Sequence, residues 1–295
     1  MENSLTRANE FLANWNIRAE DLPGYFRPLK STESMLLVGS IPEGLADPVS
    51  DIDLLIIGDG ILDQGTLVSG PEFDESVVRL PGGHEINYEY WNYEEIERLG
   101  VRLDRAYDLI QDPSFGQRVY KFNEREVGFL HRLRVGAVLA NRENVEKWRT
   151  RLQLDSLQDY LIFQWLSFHF AYREDTIGHV RYGDPLSALC TFRMTMDALA
   201  GAMLASVGET NAYPKWRPRL LQRHQAELGE DEVKTVLQYI FPDSSANVEN
   251  LLQEALPFVD TAIGELIGRR PLLIPLLLEL GDRVSFVKQL QGTAE

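Results

Sequence analysis

The sequence is short of cysteine, of positive charge and of long apolar runs, and each shortage removes a class of explanation. A single cysteine, Cys190, excludes an internal disulfide and any multi-cysteine zinc site. It lies in an apolar helical stretch, where a buried structural thiol is expected. The five histidines show no metal-ligand spacing; His169, among Trp165, Phe168 and Phe170, reads as a hydrogen-bonded core residue. Asp and Glu number 45 against 29 Lys and Arg, a net charge of −16. That balance argues against nucleic acid as the main partner, because such binding draws on Lys and Arg contacts to phosphate. Residues 1–7 lack the basic start and continuous apolar core of a signal peptide. The greasiest stretch, residues 271–280, is too short to span a bilayer and holds two prolines. It is expected to pack as a terminal segment. No membrane association is expected, and the expected location is cytoplasmic.

A chain of 295 residues is long enough for two domains. Period-two alternation is confined to its first 120 residues. It is clearest at residues 84–91, where Ile86, Tyr88 and Tyr90 share one face and Glu85, Asn87 and Glu89 the other. Residues 76–80 read as a further strand. Residues 4–16 have helical spacing, and a helix starts at Tyr93. From residue 123 onward only helical patterns run, through 123–140, 143–172, 185–207, 215–227, 230–241 and 246–267. The expectation is an α+β protein, with a mixed-sheet domain over residues 1–130 and a helical domain over 131–295.

The most informative segment is Val38-Gly39-Ser40, ten residues of loop, then Asp51-Ile52-Asp53-Leu54-Leu55-Ile56-Ile57. On a strand, positions i and i+2 share a face, so Asp51 and Asp53 project side by side while Ile52 and Leu54 point away. Two unpaired carboxylates repel, and burying them costs several kcal/mol or forces protonation. A divalent cation removes that penalty, and oxygen-only ligands suit Mg²⁺, which leaves its other positions to water and phosphate. Gly39 lets the backbone approach a phosphate and Ser40 offers a hydroxyl. The bland alternative is a strand end carrying two solvated aspartates.

The whole string resembles the signature of the DNA polymerase beta nucleotidyltransferase superfamily, in which an apolar residue and Gly-Gly or Gly-Ser precede Asp-x-Asp or Asp-x-Glu by about ten residues. Val38, Gly39, Ser40, Asp51, Ile52, Asp53 and Leu54 meet that pattern. The succession of a small sheet domain and a helical domain is similar to the small-molecule, aminoglycoside-type members. There, a helical domain closes one side of the active-site cleft. The resemblance implies a Mg²⁺-dependent enzyme of the EC 2.7.7 type that moves a nucleoside monophosphate, AMP from ATP by default, to a small-molecule hydroxyl. It also implies a third acid from a neighbouring strand. Glu85 opens the strand at 84–91 as the equivalent glutamate does in the aminoglycoside-modifying relatives, so Asp51, Asp53 and Glu85 are the implied catalytic and metal-binding residues. Glu89 is the alternative, and an alignment placing the acid at Asn87 would leave the site one ligand short.

Gly39, Ser40 and Lys215 are the implied nucleotide contacts. Tyr213-Pro214-Lys215-Trp216 resembles the Pro-Lys-Trp turn whose lysine reaches the phosphates in many of these enzymes, with Arg217 and Arg219 as weaker candidates. Its plain alternative is a solvated lysine at a helix start. Positive charge concentrates over residues 117–151, where a solvated helical face is the default and Arg132 or Arg134 the candidate phosphate contacts. The aromatic run from Phe163 to Tyr172 reads as helix core, or as the wall of an acceptor pocket. Other functions remain open: transfer to a tRNA end or a protein hydroxyl, and a nucleotide-binding regulatory protein with an incomplete metal site.

Overall fold

A computed structural model of the chain describes residues 2–25, 29–59, 75–79, 84–111, 122–244 and 246–270. In chain order the first elements are α1 (Glu2–Leu12), β1 (Ser34–Val38), α2 (Ser40–Glu43), β2 (Ile52–Gly58), β3 (Glu75–Arg79), β4 (Glu85–Asn92), α3 (Tyr93–Gln111), α4 (Glu124–Val135), β5 (Ala137–Ala140) and α5 (Arg142–Arg151). Helices follow: α6 (Leu157–Tyr182), α7 (Pro185–Ser206), α8 (Arg217–Arg223), α9 (Gln225–Leu228), α10 (Glu230–Ile240) and α11 (Val248–Arg269). The architecture is α+β, a mixed sheet followed by helices.

The five strands lie in the order β3-β4-β2-β1-β5. β2 and β4 run parallel; the other neighbours are antiparallel. Alternation divides the strands between two faces. One face presents Met35, Leu37, Ile52, Leu54, Ile56, Ile86, Tyr88 and Tyr90, which are buried with Ala8 and Leu12 of α1 and with Ile17, Ala19 and Leu22 beyond it. Each such aliphatic side chain contributes roughly 1.5–3 kcal/mol on full burial. The opposite face receives α4, where Trp91 stacks on Phe129 with ring centroids 4.1 Å apart. A capping box starts that helix: the Asn123 side chain accepts the Glu126 N–H, and Glu126 Oε2 accepts the Asn123 N–H, both at 2.9 Å.

The expected helix over 123–140 stops at Val135, and residues 137–140 form β5 against β1 instead. Gly136 is the reason. A Cβ there would lie 2.6 Å from the Arg132 carbonyl and 2.9 Å from Val38, so only glycine lets the helix end close onto β1. The tetrapeptide Ala-Val-Leu-Ala fits either period, and sheet pairing decides it. The expected run over 143–172 also divides, into α5 and α6, at residues 152–156, where Gln153 has a φ of +49°.

The described residues pack as two compact units: Met1–Asp104 with Phe122–Leu154, and Arg105–Lys121 with Asp155–Glu295. The expected boundary at 130/131 falls inside α4 and moves to about Leu154, because β5 and α5 belong with the sheet. No strand occurs among the described residues of the second unit. Residues 271–280, Arg118 and Lys121, all singled out in the sequence, lie outside the described residues.

In the second unit α6 ends on Gly183 at φ +78°, and Asp184 caps α7 by accepting the Ser187 N–H at 3.1 Å. By length and composition α7 is apolar enough to cross a membrane, yet 72% of its apolar window is buried in the unit, as in a core helix. Cys190 corrects the expectation of a buried thiol: it is exposed, on the side of α7 away from buried Ala188, Leu189 and Phe192.

His169 is the buried core residue expected, with Nδ1 3.0 Å from the Thr195 carbonyl. Burial pushes its pKa down from 6.5 to about 4. The folded state therefore takes no proton where the unfolded chain does. The stability tied to this group is full above pH 6.5 and is lost as pH falls toward 4, by up to about 3 kcal/mol. Chemical denaturation at stepped pH should show that loss, and His169→Gln should flatten it. An unchanged slope in the variant would remove His169 as the cause.

Candidate functional site

β1 ends at Val38, which pairs with Asp53 across the antiparallel ladder. The next residue, Gly39, has φ +74° and ψ −155°, a conformation that L side chains rarely adopt. A Cβ on Gly39 would collide with Asp53 Oδ2, so glycine lets this carboxylate lie against the Gly39-Ser40 backbone. The Ser40 carbonyl accepts the N–H groups of Leu45 and Ala46 at 2.9 and 3.1 Å, closing the turn around α2. The loop then folds on Asp47. Its N–H donates to Ser50 Oγ at 2.9 Å, and its Oδ1 accepts from Val49 N–H and Ser50 Oγ, both at 3.1 Å. Such side-chain-to-backbone turns fix a loop without regular structure. This one delivers the chain into Asp51.

Across the parallel ladder Ile52 pairs with Ile86 and Asp53 with Asn87. Asp53, Asn87 and Glu89 thus share a sheet face with Glu85, which opens β4. Asp51 immediately precedes β2, and its Oδ2 accepts from Asn87 Nδ2 at 3.3 Å. Asp51 is exposed; Asp53, Glu85 and Asn87 are half-buried. The fold brings Gly39, Ser40, Asp51, Asp53 and Asn87 together, with Glu85 at the open end of the adjoining strand. The residue directly opposite Asp53 is an amide, not an acid. The donor set still fits a hard divalent cation: its candidate ligands are carboxylate oxygens, and the missing Cβ of Gly39 is what lets Asp53 Oδ2 take its place beside the turn.

Glu89, weighed as the alternative third acid, is otherwise engaged. It is 7% exposed, and its carboxylate accepts from Trp91 Nε1 at 2.6 Å, Arg125 Nε at 3.2 Å and Arg132 Nη1 at 2.5 Å. Arg125 also lies 4.4 Å above the Trp91 ring. This carboxylate ties β4 to α4.

No protein-family model matches the sequence, and the comparison with curated proteins finds no match. Among solved structures, the chain is similar to a nucleotidyltransferase-like protein from Exiguobacterium sibiricum 255-15, with 16% sequence identity and a TM-score of 0.40, over 94% of this chain and 79% of that one. The functional reading therefore rests on the residues of the site.

Several basic residues of the 117–151 region work as internal ties rather than as a solvated face. Besides Arg125 and Arg132, Arg149 donates to the carbonyls of Leu133 and Gly136 at 2.8 and 3.0 Å, and Arg151 pairs with Glu97 and Asp104. In the second unit Lys215 is exposed on the turn Pro214–Trp216, with Nζ 5.1 Å from the Trp216 ring centroid. Arg217 is buried, paired with Asp197 at 3.1 Å and set 4.5 Å from the Trp165 ring centroid, which makes it a packing residue of that unit. Along α6, Trp165 and Phe168 meet edge-on at 5.9 Å, and Phe168 stacks with Tyr172 at 6.0 Å, all three half-buried.

Sequence reasoning missed two pairings. Asn87 to Asp51 links residues 36 apart, and only the strand register could reveal it. Buried Glu43 and His131, 3.2 Å apart, join α2 to α4 with no local signature at all.

Proposed function

We propose that the protein is a Mg²⁺-dependent nucleotidyltransferase that moves a nucleoside monophosphate, AMP from ATP by default, onto a hydroxyl of a small molecule. The observation that carries this reading is the Asp51–Asp53 pair beside the glycine turn at Gly39, whose backbone Asp53 touches. Mg²⁺ held by Asp51 and Asp53, with Glu85, would supply charge stabilisation at the triphosphate. Gly39 and Ser40 offer the triphosphate close backbone approach and a hydroxyl. Glu85 accepts the proton of the acceptor hydroxyl. The acceptor oxygen bonds to the α-phosphorus, the α–β phosphoanhydride bond breaks, and pyrophosphate leaves with the bonding electrons. A cationic acceptor suits a protein of net charge −16.

One observation favours a second reading, a nucleotide-binding regulatory protein without turnover: the amide of Asn87 stands opposite Asp53. Pyrophosphate release with ATP, Mg²⁺ and a panel of hydroxylated cationic acceptors, run beside calorimetric ATP titration, separates the two. Release is expected, and Glu85→Gln should abolish it while ATP binding persists. Binding without release across the panel would favour the regulatory protein.

A further inference from the structure

The two aspartates of the candidate site are not held alike. Asp53 lies inside β2, fixed by ladder bonds to both neighbouring strands and packed against Gly39. Asp51 lies outside the strand, at the end of the Asp47–Ser50 turn, and is exposed. An exposed aspartate at the end of a loop samples several rotamers, and repulsion from Asp53 favours those that turn it away. Among the described residues, the side-chain partner of the Asp51 carboxylate is the Asn87 amide.

Resting on the reading above, we propose that Asn87 is a positioning residue for the metal site: its amide N–H holds the Asp51 carboxylate on the side of Asp53, so that both oxygens face one cation. The chemistry of the side chain suits the task. An amide donates to a carboxylate, whereas a third carboxylate at this register position would repel both aspartates and could not donate while ionised. A hydrogen bond to an ionised acceptor is among the stronger ones, and it fixes where the carboxylate points. Asn87 is itself placed by the parallel pairing of β2 with β4, opposite Asp53. A residue held in the ladder thereby fixes a residue at the end of a loop.

Residues that orient a metal ligand typically change metal affinity by about tenfold to a hundredfold when removed. The test uses Mn²⁺ alone as the probe, titrated calorimetrically and by electron paramagnetic resonance into the full chain without nucleotide. Asn87→Ala should weaken Mn²⁺ binding about tenfold or more. Asn87→Gln, which keeps the donor, should recover affinity to within about threefold of the natural protein. The metal-free melting temperatures of both should match the natural chain, as a purely structural role would not allow. The proposal is overturned if Asn87→Ala binds Mn²⁺ as the natural chain does while Asp53→Asn does not bind it; the metal reading then stands without Asn87. It is overturned equally if the metal-free Asn87→Ala chain melts well below the natural one. A natural chain that binds no Mn²⁺ would overturn the metal reading and this assignment together.

Discussion

Replacing Asp51 or Asp53 by asparagine is expected to lower ATP-dependent nucleotidyl transfer by roughly 10²-fold or more, the usual cost of removing a group that stabilises charge during such chemistry. The fold should survive both changes. Asp51 is exposed and lies outside the strand, so its charge supports no buried partner. Asp53 is half-buried, and asparagine keeps its shape against Gly39 while easing like-charge repulsion with Asp51. Pyrophosphate release measures the first half of the prediction and thermal melting the second. Full activity in Asp51→Asn would show that the metal assignment is wrong.

Glu89→Gln should have the opposite profile, a loss of stability. The Glu89 carboxylate sits at 7% exposure between Trp91, Arg125 and Arg132. Removing its charge leaves three hydrogen-bond donors facing a neutral amide. That costs about 1–3 kcal/mol, because the Arg132 and Arg125 side chains, 21% and 39% exposed, still reach water. For a unit of this size the upper end corresponds to a fall in melting temperature on the order of 10 °C. Glu85→Gln, at a half-exposed strand start, should melt close to the natural chain. If Glu89→Gln instead kept its melting temperature and lost activity, Glu89 would be the third acid and Glu85 would not.

The contrast between Glu85 and Glu89 shows where sequence reading ran out. Both occupy the same face of β4 by alternation, and nothing local separates them. What separates them is α4, which starts more than thirty residues later and brings Arg125 and Arg132 onto Glu89. Cys190 failed in a related way: an apolar helical neighbourhood suggested burial, but α7 is buried on all sides only from Ala198 to Ser206, and Cys190 lies on the exposed side of its N-terminal half. His169 succeeded because its aromatic neighbours lie on the same helix, within reach of local pattern.

The sequence by itself determined the elements whose cause is local. Alternation specified β4, helical spacing specified α1 and α7, and the Gly39-Ser40 and Asp51-Ile52-Asp53 spacing placed a tight turn beside two carboxylates. These follow from side-chain period and backbone sterics, which act within a few residues. Tertiary structure alone decided the rest: that residues 137–140 join the sheet, that Asn87 stands opposite Asp53 and reaches Asp51, and that Glu89 anchors a helix. Those outcomes depend on strand register and helix docking. Both are set by which faces can be buried together across the whole unit, and one window of sequence does not contain the other side of a contact.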